Sequence, residues 1–129
     1  MRIVIAAGLA LALSAGAAHA AWVTKAAASG KPLILYQAST LNPDCSSMGA
    51  ITIKVLEGPE HGRVSAGRAS VFPRFYSANP RAKCNTRRVS GVSATYISQR
   101  GYQGTDRVTI EVISPTGAYA RHTINIVVR

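Results

Sequence analysis

Glu60 and His61 place a carboxylate beside an imidazole, a pairing that can move protons. Their spacing works against it. Neighbours at i and i+1 in a turn point in different directions, and Gly58-Pro59 before them and Gly62 after them are turn residues. The other carboxylates beyond residue 20, Asp44, Glu57, Asp106 and Glu111, are scattered along the chain. The second histidine of that stretch, His122, falls in a run where Ala120, His122, Ile124, Ile126 and Val128 share one face of a strand, the setting of a core-edge residue. No spacing couples an acid to a base or a nucleophile to an orienting partner, so the sequence reads as that of a non-enzyme. Calcium needs several oxygen ligands gathered in one place, and two distant cysteines without a nearby His do not make a zinc site. Neither a metal nor a cofactor is expected.

Positive charge and two thiols are what the sequence does offer. Fifteen Lys and Arg against five Asp and Glu give a formal charge of +10. Arg74, Arg81, Lys83, Arg87, Arg88, Arg100 and Arg107 cluster in the second half of the chain. A fixed basic surface draws polyanions, with steering that salt weakens. Phe72, Phe75 and Tyr76 lie close to these arginines in sequence and could stack on sugars or bases. The competing reading is that the arginines only keep a small domain soluble. Cys45 and Cys84 read as one disulfide, which closes a loop of about 40 residues and stabilises the fold by about 4 kcal/mol on a chain-entropy model. Two free thiols are the alternative.

The beginning of the chain bears on that choice. Met1-Arg2 is a short basic head, Ile3 to Ala18 is apolar, and Ala18-His19-Ala20 supplies small residues flanking a cleavage point, the pattern of a secretory signal peptide over residues 1–20. The apolar run is short for a membrane span, so no stable span is expected after processing, an uncleaved anchor being the alternative. Cleavage leaves about 109 residues with fourteen Lys and Arg against five carboxylates, bound for the periplasm or the exterior, where disulfides persist. That is one domain with a modest core.

The elements that must position these residues are strands. Residues 21–31 are small and polar and read as a flexible leader, with the domain occupying 32–129. Strands are predicted from Pro32, over Ile51–Val55, briefly at Val64, and at Val71–Tyr76, where Pro73 argues for a sheet edge. Residues 77–90 form a long basic loop holding Cys84. Two strands then flank a corner in which Gly101 and Gly104 bracket Tyr102 and Gln103, and Asp106 closes the turn by accepting nearby backbone N–H groups. Tyr96 and Tyr102 are expected to pack across that corner with their hydroxyls near water. A last strand runs from Tyr119 to Val128. About seven strands and no amphipathic helix predict an all-β, immunoglobulin-like sandwich.

Gly58-Pro59-Glu60-His61-Gly62-Arg63-Val64, then Ala94-Thr95-Tyr96, then Gly101-Tyr102-Gln103-Gly104-Thr105-Asp106, then Thr116-Gly117 and an apolar closing strand resemble the cadherin-like, immunoglobulin-like repeats of bacterial secreted and surface proteins, over residues 55–128. The resemblance implies the sandwich and assigns His61 to a turn. The chain departs from the pattern at Ser98, where the repeats have proline, at Val108 and Ile110, where they have aromatic residues, and in an insertion over residues 67–90. Some of these repeats bind calcium, but five scattered carboxylates among fifteen basic residues argue against it here.

These features predict an exported, non-enzymatic binding module whose basic surface docks on an anionic envelope polymer, an acidic polysaccharide or lipopolysaccharide for example, or on an acidic partner. The alternative is a structural or inhibitory protein that presents a disulfide-stapled loop to a protein partner.

Overall fold

A computed structural model describes residues 20–129; the signal-peptide reading of residues 1–20 lies outside the described backbone but for Ala20. Seven strands, β1 (Ala20–Ala27), β2 (Pro32–Ala38), β3 (Thr52–Glu57), β4 (Gly62–Val71), β5 (Val89–Ser98), β6 (Gly104–Ile113) and β7 (Tyr119–Val128), form two sheets in the orders β1-β7-β6-β3 and β2-β5-β4. β1 runs parallel to β7 and every other pairing is antiparallel. This is an immunoglobulin-like sandwich, stapled by a Cys45–Cys84 disulfide.

Period-two alternation builds the core. On β5, Val92, Ala94, Tyr96 and Ser98 are buried while their neighbours are half exposed; on β7, Ile124, Ile126 and Val128 face the same interior. Val108, Ile110 and Val112 join them from β6 and Leu35 from β2. Each such apolar side chain contributes about 1.5–3 kcal/mol of burial, which is how a strongly charged chain of this length holds together.

Two expectations are corrected. The flexible leader over residues 21–31 is largely a strand: β1 pairs with β7 from Ala20 opposite Arg121 to Ala27 opposite Val128, and Ala27 is buried. Its partner lies about a hundred residues away, so local composition carries no trace of a pairing made by backbone groups. The turn after it is tied down as well, Ser29 N–H donating to Arg129 C=O at 2.8 Å and Gly30 N–H to Ser98 Oγ at 2.8 Å. Second, Val71–Tyr76 is not a strand. β4, an edge strand ten residues long, ends at Val71, beyond which the chain leaves the sheet before Pro73.

The corner also differs from its local reading. Asp106 is buried, and its carboxylate accepts Arg107 N–H at 2.9 Å, but also Glu60 N–H at 2.9 Å, His61 N–H at 3.0 Å and the Tyr96 hydroxyl at 2.8 Å. The Tyr96 hydroxyl is therefore inside the protein rather than near water, while that of Tyr102 donates to Thr105 C=O at 2.6 Å. The turn of residues 58–61 reaches this carboxylate because glycine frames it. Gly58 has φ of +68°, and a Cβ there would collide with the Arg107 carbonyl; one at Gly62 would lie 2.7 Å from the Tyr96 ring. His61 packs on the outside, its ring stacked on Tyr102 with centroids 4.1 Å apart.

Burial by itself would raise the Asp106 pKa, but the hydrogen bonds from Glu60 N–H, the Tyr96 hydroxyl, Arg107 N–H and His61 N–H outweigh it and hold the carboxyl below its ordinary 3.8. Burial and the same carboxylate push the Tyr96 hydroxyl well above its ordinary range. A carboxyl whose folded pKa is depressed lends stability that is complete above its unfolded pKa and lost as pH falls through the folded one. Asp106→Ala is expected to cost about 3 kcal/mol or more at neutral pH, and Tyr96→Phe about 2 kcal/mol. Urea denaturation of the oxidised chain as a function of pH checks both. The parent loses the contribution of Asp106 as pH drops below about 4, and the Ala variant lacks that part of the acid limb.

Candidate functional site at the stapled loops

The sandwich has two dissimilar ends. At one lie the turns of residues 28–31, 58–61 and 99–103, the second of them held on Asp106. At the other lie the connections 39–51, 72–88 and 114–118; the disulfide joins the first two, and a Cβ at Gly49 would lie 2.9 Å from Pro115 of the third.

The basic residues picked from the sequence divide between these ends. Arg74, Arg81, Lys83, Arg87 and Arg88 sit on the 72–88 connection. Arg100 and Arg107 sit at the corner, the length of β5 away, about 30 Å for a ten-residue strand. The seven do not form one surface. At the corner, Arg107 is engaged with its own sheet, Nε donating to Asn125 Oδ1 at 3.0 Å and the guanidinium lying 5.7 Å from the Trp22 ring centroid.

At the loop end the backbone is held by polar contacts that the sequence did not reveal. Asn85 and Phe75 exchange two hydrogen bonds, Phe75 N–H to Asn85 Oδ1 at 2.9 Å and Asn85 Nδ2 to Phe75 C=O at 2.8 Å. Asn79 Oδ1 accepts Arg81 N–H at 2.8 Å, and a short 3-10 helix, Ala82–Thr86, carries Cys84 into the interior. Cys84 packs with Leu41, Cys45, Phe75 and Val89 in a small second core. Across the staple, Cys45 takes a φ of +70°, and Asp44 turns back on Ser46, its Oδ1 accepting Ser46 N–H at 3.0 Å.

Arg81 belongs to this scaffold. It is half-buried, and its Nε donates to Leu41 C=O at 2.7 Å, a second tie between the loops that the disulfide joins. The four remaining side chains, Arg74, Lys83, Arg87 and Arg88, are exposed. Lys83 lies near Asp44, whose carboxyl is held below its ordinary pKa first by the Ser46 hydroxyl, then by Ser46 N–H, with a smaller contribution from Lys83. Arg88 lies over Phe72, 5.0 Å from the ring centroid. Of the three aromatics, Phe75 is packed against the disulfide and Phe72 shares a face with Arg88, whereas Tyr76 is 89% exposed. The result is a rigid, cationic loop with one free aromatic ring. It can hold anionic groups by charge and stack on a ring or sugar face.

His122, read as a core-edge residue, is half-buried and packs on Tyr36 of the facing sheet with centroids 4.9 Å apart; burial lowers its pKa. Among the described residues no helix is long and apolar enough to cross a membrane.

No protein-family model matches the chain, and no curated protein matches it. Among solved structures, the solution structure of amebosin is similar over 88% of this chain and 100% of its own, at 13% identity and a TM-score of 0.40, a likeness too slight to carry an argument.

The two ties predict separable effects. Cys45→Ser with Cys84→Ser, which opens a loop of sequence separation 39, is expected to lose up to about 4 kcal/mol in chemical denaturation. Arg81→Ala is expected to lose only about 1 kcal/mol globally, but to raise protease cleavage and amide exchange within residues 72–88. An unchanged exchange pattern in that loop would show that Arg81 is not part of the scaffold.

Proposed function

We propose that this chain is an exported, non-enzymatic binding module whose stapled loop end docks on an anionic polymer of the cell envelope, an acidic polysaccharide or lipopolysaccharide, through Arg74, Lys83, Arg87 and Arg88. The observation that carries the reading is that these exposed cations stand on a backbone already fixed by a disulfide, the Arg81–Leu41 hydrogen bond and the Asn85–Phe75 pair. A loop whose backbone is fixed before binding loses less freedom on meeting a ligand than a mobile one, so more of the attraction of its cations remains as affinity. The disulfide fits an oxidising compartment, and the apolar, cleavable head of the sequence supplies a route to the periplasm or the exterior.

A second reading is favoured by Tyr76. A tyrosine 89% exposed on a rigid loop is the kind of anchor that fills a pocket on a protein partner, which suits a structural or inhibitory role. The two readings differ in their response to salt, since a tyrosine-anchored complex is stoichiometric and largely indifferent to it.

Binding of the oxidised chain to lipopolysaccharide and to an acidic polysaccharide, measured across a salt series, tests the proposal. Affinity should fall steeply with salt. Replacing Arg74, Lys83, Arg87 and Arg88 together by glutamine should weaken binding about tenfold or more at low salt and flatten the salt dependence. Replacing Arg100 and Arg107, at the far end, should leave it nearly unchanged. Equal weakening by both sets would assign the effect to net charge alone and overturn the loop end as the site.

A further inference from the structure

We infer that the open flank of the sandwich, between β3 and β4, is a docking groove for an extended acidic segment of a partner protein, which adds to the sheet as a strand beside β4. Both flanks of the sandwich are formed by facing sheet edges, β1 with β2 and β3 with β4. On one, Lys25 Nζ crosses from β1 to the Ile34 carbonyl of β2 at 3.1 Å. On the other, between β3 and β4, lies a groove of about 520 Å³ whose lining includes Ile51, Ile53, Ala66, Arg68 and Val92.

The register shows what this groove lacks. Ala66 stands opposite buried Ala94 and Arg68 opposite buried Val92; Ile53 stands opposite buried Val112 and Val55 opposite buried Ile110. Residues directly opposite one another in an antiparallel pair share a face, so all four occupy inward positions. Yet Ala66 and Arg68 are exposed, Ile53 is only half-buried and Val55 is 42% exposed. Inward positions of a sandwich that remain open to water are short of one covering element.

β4 is the edge on which such an element can form. Its ten residues pair with β5 without a shift in register, whereas β2 and β3 are each interrupted by one. It contains no proline, and a side chain at Gly67 would meet nothing within 4 Å. A long regular edge with free backbone groups is the template for strand addition.

Charge selects the occupant. Arg68 is the one charged residue in the lining of the groove, Arg63 stands on the same strand, and β4 has no carboxylate. A second copy pairing β4 with β4 would bring arginines against a strand of the same sign. An acidic segment avoids that: its inward-facing alternate side chains enter beside Ile51 and Ile53, and one of that same set is a carboxylate that meets Arg68. One end of this groove is lined by the 39–51 connection, but it contains none of the 72–88 residues that carry Arg74, Lys83, Arg87 and Arg88, so the two readings are tested by different variants.

The probe is a capped ten-residue peptide in which threonine alternates with valine and one central valine, on the face that enters the groove, is replaced by glutamate; a lysine-for-glutamate counterpart accompanies it, and each is titrated into the oxidised chain and followed by amide chemical shifts. The acidic peptide should give saturable shifts confined to β3, β4 and the groove, and the lysine peptide should bind at least about tenfold more weakly. Arg68→Glu, at an exposed position, should reverse that order. Methylating alternate peptide nitrogens should abolish binding in one phase and spare it in the other, because only one edge of an added strand faces β4. Equal response to both peptides, no saturable shift with the acidic one, or shifts confined to residues 72–88 would overturn the inference. So would sedimentation of the chain alone as a dimer with β4 amides protected, which would make the occupant a second copy.

Discussion

A single buried carboxylate decides the geometry of one end of this molecule. Asp106 lies at the start of β6, and its two oxygens gather a turn from residues 58–61, a side chain from β5 and the backbone of its own strand. A carboxylate inside a small sandwich is costly unless each lone pair finds a donor. Here the donors are backbone N–H groups and a hydroxyl, so the anion is stabilised without a basic partner. Gly58 and Gly62 follow from that, since only a chain without Cβ atoms at these points approaches Arg107 and Tyr96 closely enough to present its N–H groups. Because Asp106 stands on β6 of one sheet and Tyr96 on β5 of the other, and the turn of residues 58–61 crosses from β3 to β4, the carboxylate also ties the two sheets together.

The opposite end is organised by other means. There the connections are long, the core beneath them is small, and the disulfide with Leu41, Phe75 and Val89 stands where a larger domain would place a hydrophobic layer. Polar side chains complete it, Asn85 on Phe75 and Arg81 on Leu41. The outcome is a loop whose shape does not depend on the exposed arginines, which are therefore free to meet a ligand. Charge at this end and charge at the corner have different standing: Arg107 is bound to Asn125 and packed near Trp22, whereas Arg74 and Arg87 project from a scaffold that others maintain.

How much of this was legible in the sequence depends on the range of the interaction. Alternation in Val108–Val112 and Ile124–Val128 marked two strands and their inward faces, and two cysteines marked the staple. The Gly-Pro-Glu-His-Gly turn, Tyr96 and Asp106 were each visible as separate local features. Their convergence on one carboxylate was not, because nothing in a window of residues shows that a turn donor 45 positions away will arrive. For the same reason Ala-rich β1 read as a leader, its only strong partner being β7. Arg81 was counted with the other loop cations because composition does not distinguish an arginine aimed at a carbonyl from one aimed at water. Arg68 escaped notice because β4 was cut short after Val64, which hid the alternation of Val64, Ala66 and Arg68.

The two ends and the open flank follow from one limitation, the small apolar inventory of about a hundred residues. A sandwich this size cannot cover every inward position with its own side chains. Burial is concentrated on β5, β6 and β7, the central strands and their neighbours, where Tyr96, Ile110, Ile124 and Ile126 are sealed. The edges receive what is left, and the consequences differ by edge. β1 is linked to the facing sheet by the Lys25 contact, and β2 and β3 are broken by register shifts that blunt them. β4 is the longest of the edges and pairs without a shift, with small side chains and arginines where a hydrophobic row would otherwise invite self-association. Positive charge on that edge thus acts twice, discouraging pairing with a second copy and favouring a strand of opposite sign.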